Sequence, residues 1–106
     1  MIYEQDDLVL SQFAGEMRSR LGDHLKALVL FGSRARGEAA QDSDYDLVAV
    51  LDAVSPMNKQ IIDEIAGNLL YEHSVVFSIF PVPLDLYQQE IKTPFLMNVH
   101  KEGRLL

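Results

Sequence analysis

Cysteine is absent from this 106-residue chain, and basic residues are scarce. Without cysteine the chain cannot form disulfides, use a thiolate nucleophile or build a zinc–thiolate site. Nine Lys and Arg stand against 16 Asp and Glu, which gives a net charge of −7. This charge disfavours nucleic acid as the main partner, because phosphate backbones are bound through a cationic surface. A metal ion or a basic protein surface suits the chain better.

Long apolar runs are also missing. No run approaches the roughly 20 residues that a membrane span requires, and the first residues lack the basic start of a signal peptide. We therefore expect no membrane partner and a cytoplasmic location. Hydrophobic residues still make up 48% of the chain, which indicates a folded protein. The length suits one domain over residues 1–106, with an active site that is open on one face or completed by a partner.

Helix and strand signals alternate along the chain, which predicts an α/β (α+β) fold with a small mixed central sheet and flanking helices. Pro81 and Pro83 are expected to end the third strand, because proline cannot donate to a sheet ladder. The order of the strands does not follow from the pattern. The predicted helices cover residues 6–21, 56–71, 84–91 and 94–102, with a short helix or turn at 33–37, and the predicted strands cover residues 25–31, 46–51 and 74–80.

Two carboxylates stand two residues apart at the start of the predicted second strand. Asp44 and Asp46 should project from one face of the sheet, while Tyr45 points to the other. A carboxylate pair with only oxygen donors favours a hard divalent cation, Mg²⁺ or Mn²⁺. A calcium loop of the EF-hand type is excluded, because its required glycine and glutamate are replaced here by Leu47 and Ala53.

A glycine–serine turn follows the first predicted strand. Gly32 would let the backbone approach a ligand closely, and the amides of the next short helix, together with the Ser33 hydroxyl, could receive a phosphate. Arg34 and Arg36 could add positive charge there. Each feature alone is common in ordinary turns. Their joint occurrence, in this order and spacing, predicts phosphoryl or nucleotidyl transfer.

These residues form a recognisable signature. Gly32-Ser33, ten intervening residues and Asp44-Tyr45-Asp46 resemble the motif of the polymerase-β-like nucleotidyltransferase superfamily. The stretch Phe31-Gly32-Ser33-Arg34-Ala35-Arg36-Gly37 is most similar to the minimal nucleotidyltransferase (MNT) group. The resemblance implies that Asp44 and Asp46 are catalytic and hold the metal, Mg²⁺ or Mn²⁺, and that Ser33 contacts the phosphates of ATP or another NTP.

The resemblance also implies a protein partner. Many minimal nucleotidyltransferases are antitoxins of small helical HEPN toxins, and some move AMP from ATP to a tyrosine of the toxin. On this basis we expect transfer of NMP, most simply AMP, to a hydroxyl on a HEPN-type partner. Whether the chain also forms homo- or hetero-oligomers is left open.

The chain departs from the family pattern on the third strand, where active members carry another carboxylate. Residues 74–80 include no acid. The corresponding position is Val76 or Ser78, and we favour Ser78 because it is polar. Asp85 or Glu72 could substitute from a flanking segment.

The departure leaves three functions open. We favour a nucleotidyltransferase, although the missing general base is worth about 10²–10⁴ in rate. The alternative is a catalytically weak or inactive antitoxin that acts by binding its HEPN partner. A small-molecule nucleotidyltransferase of the antibiotic-modifying kind is less favoured, because such enzymes usually need a second domain.

Overall fold

The computed structural model describes residues 7–36, 44–89 and 93–106 of the chain. The predicted class is confirmed, since helices flank a small mixed sheet. None of the described helices is long and apolar enough to cross a bilayer. The elements in chain order are α1 (Leu8–Leu21), β1 (Leu25–Phe31), α2 (Ser33–Arg36), β2 (Tyr45–Leu51), α3 (Pro56–His73), β3 (Phe77–Pro83), α4 (Leu84–Gln88), α5 (Pro94–Glu102) and β4 (Arg104–Leu105).

The four strands lie in the order β3-β2-β1-β4. β1 runs antiparallel to both β2 and β4, whereas β2 and β3 are parallel. β4 is a fourth strand that the sequence pattern does not predict. Two residues are too few to show the alternation by which a strand is recognised, so β4 is defined only by its pairing with β1.

Apolar side chains cover both faces of the two central strands. On one face, α1 and α3 pack their buried residues against β1 and β2; this core includes Phe13, Met17, Leu28, Leu30, Leu47, Ile65 and Leu69. On the other face, α5 packs Leu96 and Val99 against a row of valines at positions 29, 48 and 50. Burial on both faces explains why β1 and β2 are almost continuously apolar in sequence.

The prediction that Pro81 and Pro83 end the third strand is wrong. β3 continues through both prolines to the start of α4. β3 lies at the edge of the sheet, and the carbonyl of Val76 accepts a hydrogen bond from Tyr45 N at 3.0 Å. Peptide groups at even positions therefore face β2, and those at odd positions, including both prolines, face the open edge. Proline at these positions removes no bond between strands.

The predicted helix boundaries hold where the capping chemistry is clear. Ser55 Oγ accepts a hydrogen bond from Asn58 N at 3.1 Å, directly before the proline that begins α3. Gly103 follows α5, and its N–H donates to Val99 O at 2.8 Å. α4 is shorter than the predicted helix over 84–91, whose end falls outside the described residues.

Candidate active site

Asp46 lies at the start of β2 and points to the face of the sheet that α5 partly covers. Along β2, Val48 and Val50 belong to this face, whereas Tyr45 and Leu47 join the core beneath α1 and α3. The prediction that Asp46 and Tyr45 occupy opposite faces is therefore confirmed. Asp44 immediately precedes the strand and is exposed, so both carboxylates stand at the open end of β2.

The two carboxylates interact electrostatically. The pKa of Asp46 is raised above its usual value, first by burial and then by the negative charge of Asp44. A carboxylate pair in this condition is stabilised by a cation, and its oxygen-only donors match Mg²⁺ or Mn²⁺. Within the described residues, no cluster of three or more His, Cys, Asp or Glu could hold a metal ion. Among the described residues, Asp44 and Asp46 are the two carboxylates available to a metal ion at this site, and water and substrate would fill its other ligand positions.

Gly32 brings the end of β1 directly against the Asp46 side chain. Its φ of 78° lies in the left-handed region that favours glycine. A β-carbon at this position would lie 2.7 Å from Oδ2 of Asp46, too close for any ordinary contact. The turn predicted to receive phosphate and the carboxylate predicted to hold metal are thus immediate neighbours.

Replacing Gly32 with alanine should weaken binding of Mn²⁺ by about tenfold, because the new methyl group would displace the Asp46 carboxylate. Isothermal titration calorimetry measures this affinity. Gly67→Ala is the matched control, since a β-carbon at position 67 meets no heavy atom within 4 Å. Equal Mn²⁺ affinity in Gly32→Ala and the wild type would contradict the assignment of Asp46 as a metal ligand.

Ser78 of β3 pairs with Asp46 in the parallel register, and Phe31 of β1 pairs with Asp46 on the other side. The three residues form a row across the sheet on the same face. Of the two positions considered from sequence, the register therefore selects Ser78 as the neighbour of Asp46. No residue of β3 is acidic.

Neither acid proposed as a substitute for the third carboxylate lies beside Ser78. Asp85 is in the first turn of α4, beyond the far end of β3; the strand from Ser78 to its end alone spans roughly 16 Å. Glu72 is exposed in the last turn of α3, the helix that covers the opposite face of the sheet. Asp85 is thus excluded by distance along the strand, and Glu72 occupies the wrong layer.

Arg34 lies over the ring of Tyr45, with its guanidinium carbon 4.0 Å from the ring centroid. The same ring stacks on Phe77 at 4.8 Å, and the Tyr45 hydroxyl donates to Asp7. Burial, followed by this hydrogen bond, raises the pKa of Tyr45 far above its usual value. Arg34 therefore lies on the face of the sheet that carries Tyr45, opposite the face that carries Asp46. The sequence pattern does not predict this position.

The nucleotide-binding roles assigned to Gly32, Ser33, Arg34 and Arg36 stay predictions. The side chains of Ser33 and Arg36 lie outside the described part of the structure. For Gly32, the close approach to Asp46 agrees with the assignment. For Arg34, the structure shows the guanidinium over the ring of Tyr45.

Three phenylalanines pack together beside the carboxylates. We call Phe31, Phe80 and Phe95 the aromatic cluster. Their ring centroids are 5.3 to 5.9 Å apart. None of the predictions from the sequence includes this cluster. The signal that could have found it is the alternation along β3, which places Phe80 on the same face as Ser78.

A mixed sheet with paired carboxylates at the start of β2, directly against a glycine turn, defines a nucleotidyltransferase type of domain. A family model described as a nucleotidyltransferase domain matches residues 10–106, and the chain belongs to this family. The resemblance predicted from the sequence is thereby confirmed.

Two relatives come from Methanocaldococcus jannaschii, and both are named as candidate protein adenylyltransferases. One is 28% identical over 101 residues, which cover 95% of this chain and 97% of the relative. The other is 31% identical over 96 residues, which cover 90% of this chain and 92% of the relative.

Solved structures share the fold. A chain from the crystal structure of a toxin–antitoxin complex with AMP-PNP superimposes with a TM-score of 0.61 at 18% identity, over 89% of this chain and 69% of the other. A chain from the complex of tri-AMPylated Shewanella oneidensis HEPN toxin with its MNT antitoxin gives a TM-score of 0.57 at 16% identity, over 90% and 66% of the two chains. At these identities the likeness concerns the fold.

Proposed function

We propose that this chain is a Mg²⁺-dependent nucleotidyltransferase that moves AMP from ATP to a hydroxyl on a HEPN-type partner, and so acts as an antitoxin. The observation that carries the proposal is the contact between Gly32 and Asp46. It places a turn suited to phosphate against carboxylates suited to a divalent metal. The names of the relatives and the complexes formed by the structural neighbours support the same reaction and partner. The expected cytoplasmic location stays a prediction.

In the proposed reaction, the oxygen of the acceptor hydroxyl attacks the α-phosphorus of ATP. The bond from that phosphorus to the oxygen bridging to the β-phosphorus breaks, and pyrophosphate leaves. Asp44 and Asp46 would hold Mg²⁺, which supplies charge neutralisation at the reacting phosphate. Gly32 leaves room for the substrate phosphates beside them. Because β3 offers no carboxylate, the hydroxyl proton passes to water or to a base on the partner.

Transfer of radiolabel tests the proposal. ATP labelled at the α-phosphate, Mg²⁺ and a HEPN-type partner protein should give a labelled partner. Asp44→Asn should abolish the labelling, whereas Asp63→Asn, which removes the same charge from an exposed position on α3, should leave it intact. Absence of labelling with every nucleotide and divalent metal would overturn the proposal.

The alternative is an antitoxin that acts by binding alone. It is favoured by one observation, the absence of an acid on β3 beside Asp46. Co-expression with the toxin separates the two functions. The double variant Asp44→Asn/Asp46→Asn should lose neutralisation if transfer is required and keep it if occupancy of the toxin is sufficient.

A further inference from the structure

The side of β3 that faces the carboxylates carries an exposed apolar strip. Phe80 is 42% exposed, and the half-buried Ser78 lies on the same face of β3; Val76, which immediately precedes the strand, is 43% exposed. Phe95 of α5, which is 38% exposed, packs beside Phe80 in the aromatic cluster. Large apolar side chains left in water beside a polar site commonly mark a binding surface.

The geometry of the transfer reaction indicates which substrate, ATP or the acceptor, binds at this strip. This inference rests on the proposed function. In phosphoryl-type transfer the attacking and leaving oxygens lie roughly in line on opposite sides of the phosphorus. Across the sheet, the row runs from Phe31 through Asp46 to Ser78, and the Gly32 turn lies at the Phe31 end. With the leaving pyrophosphate at that end, the acceptor hydroxyl approaches from the side of β3.

We propose that Ser78 and Phe80 form the seat of the acceptor side chain, which is the tyrosine of a protein partner that the resemblance implies. Two residues along a strand span roughly 6.6 Å, so one phenol can reach both positions. Its hydroxyl lies by Ser78 next to Asp46, and its ring packs on the exposed face of Phe80. An aromatic pair adds about 0.5–1.5 kcal/mol beyond the area it buries. A serine or threonine acceptor would leave the Phe80 ring uncovered.

Steady-state kinetics with N-acetyl-L-tyrosinamide and Mg-ATP test the seat. Phe80→Ala should raise the KM for the tyrosinamide about tenfold and leave the KM for ATP unchanged. Phe80→Leu, which keeps an apolar side chain of similar size, should raise the same KM and guards against loss of folding, which circular dichroism monitors. Leu105→Ala is the control, because Leu105 is 74% exposed on β4 at the opposite edge of the sheet.

A rise in the KM for ATP instead would assign the aromatic cluster to the nucleobase and overturn the proposal. Unchanged KM values for both substrates would also overturn it. A binding measurement distinguishes failure of the seat from failure of the proposed function. With Mg²⁺ and an ATP analogue that has a methylene bridge between its α- and β-phosphates, N-acetyl-L-tyrosinamide should shift the ring resonances of Phe80 but not the methyl resonances of Leu105.

This shift would support the seat even if the wild-type protein transferred AMP to no acceptor, a result that refutes only the proposed function. Absence of the shift would count against the seat even in an active enzyme.

Discussion

Asp46→Asn is expected to lower AMP transfer by about 10²–10³-fold while leaving the protein folded. The substitution keeps the shape of the side chain but removes a charge from the carboxylate pair that we propose holds the metal. It should also abolish the stabilisation of the protein by Mn²⁺, which thermal unfolding with and without the ion measures.

The same variant should be at least as stable as the wild type at neutral pH without metal. Burial and Asp44 raise the pKa of Asp46, so the folded state binds the proton more tightly than the unfolded state. The ionised carboxylate therefore opposes folding above this raised pKa, and stability increases as pH falls through it. Urea denaturation at pH 7 checks the sign. Marked destabilisation in Asp46→Asn would show that the carboxylate has a structural role instead.

Ser78→Asp is expected to raise the rate of AMP transfer by about 10²-fold, the lower end of the range for general-base catalysis. The register places position 78 beside Asp46 on the same face of the sheet, so the new carboxylate can accept the proton of the attacking hydroxyl. Single-turnover measurement of AMP transfer to the partner at saturating Mg-ATP gives this rate directly.

The stability of Ser78→Asp should depend on a bound metal ion more than the stability of the wild type does. Three neighbouring carboxylates repel one another, so Ser78→Asp should unfold at lower urea concentration than the wild type without metal and recover when Mg²⁺ is added. Ser78→Asn is the control, with similar size and no charge, and should show neither the gain in rate nor the loss of stability. Equal transfer rates in Ser78→Asp and Ser78→Asn would mean that position 78 is not next to the attacking hydroxyl.

The central strands could be predicted from the sequence because their signals are local. β1 and β2 are apolar runs of strand length that end at polar residues, and the structure places both within one residue of the prediction. The limits of β3 could not be predicted, because the tolerance for Pro81 and Pro83 depends on which edge of the strand faces open space. β4 exists only through its pairing with β1.

In the candidate site, too, features set by local sequence could be predicted, and features set by the pairing of distant segments could not. The alternation of Tyr45 and Asp46 is a local property of a strand, so their placement on opposite faces of the sheet could be predicted from spacing alone. The position of Ser78 beside Asp46 required the register between β2 and β3, which are separated by the whole of α3. The stacking of Arg34 on Tyr45 likewise depends on how α2 leaves the end of β1.

The central claim is that the chain transfers AMP to its partner, and the intact mass of that partner tests it most directly. A HEPN-type partner protein is purified after co-expression with the wild type and with Asp44→Asn/Asp46→Asn. The account predicts a partner heavier by one or more adenylyl groups with the wild type and unmodified with the variant. An unmodified partner that is nevertheless neutralised by both proteins would contradict transfer and establish binding as the mechanism.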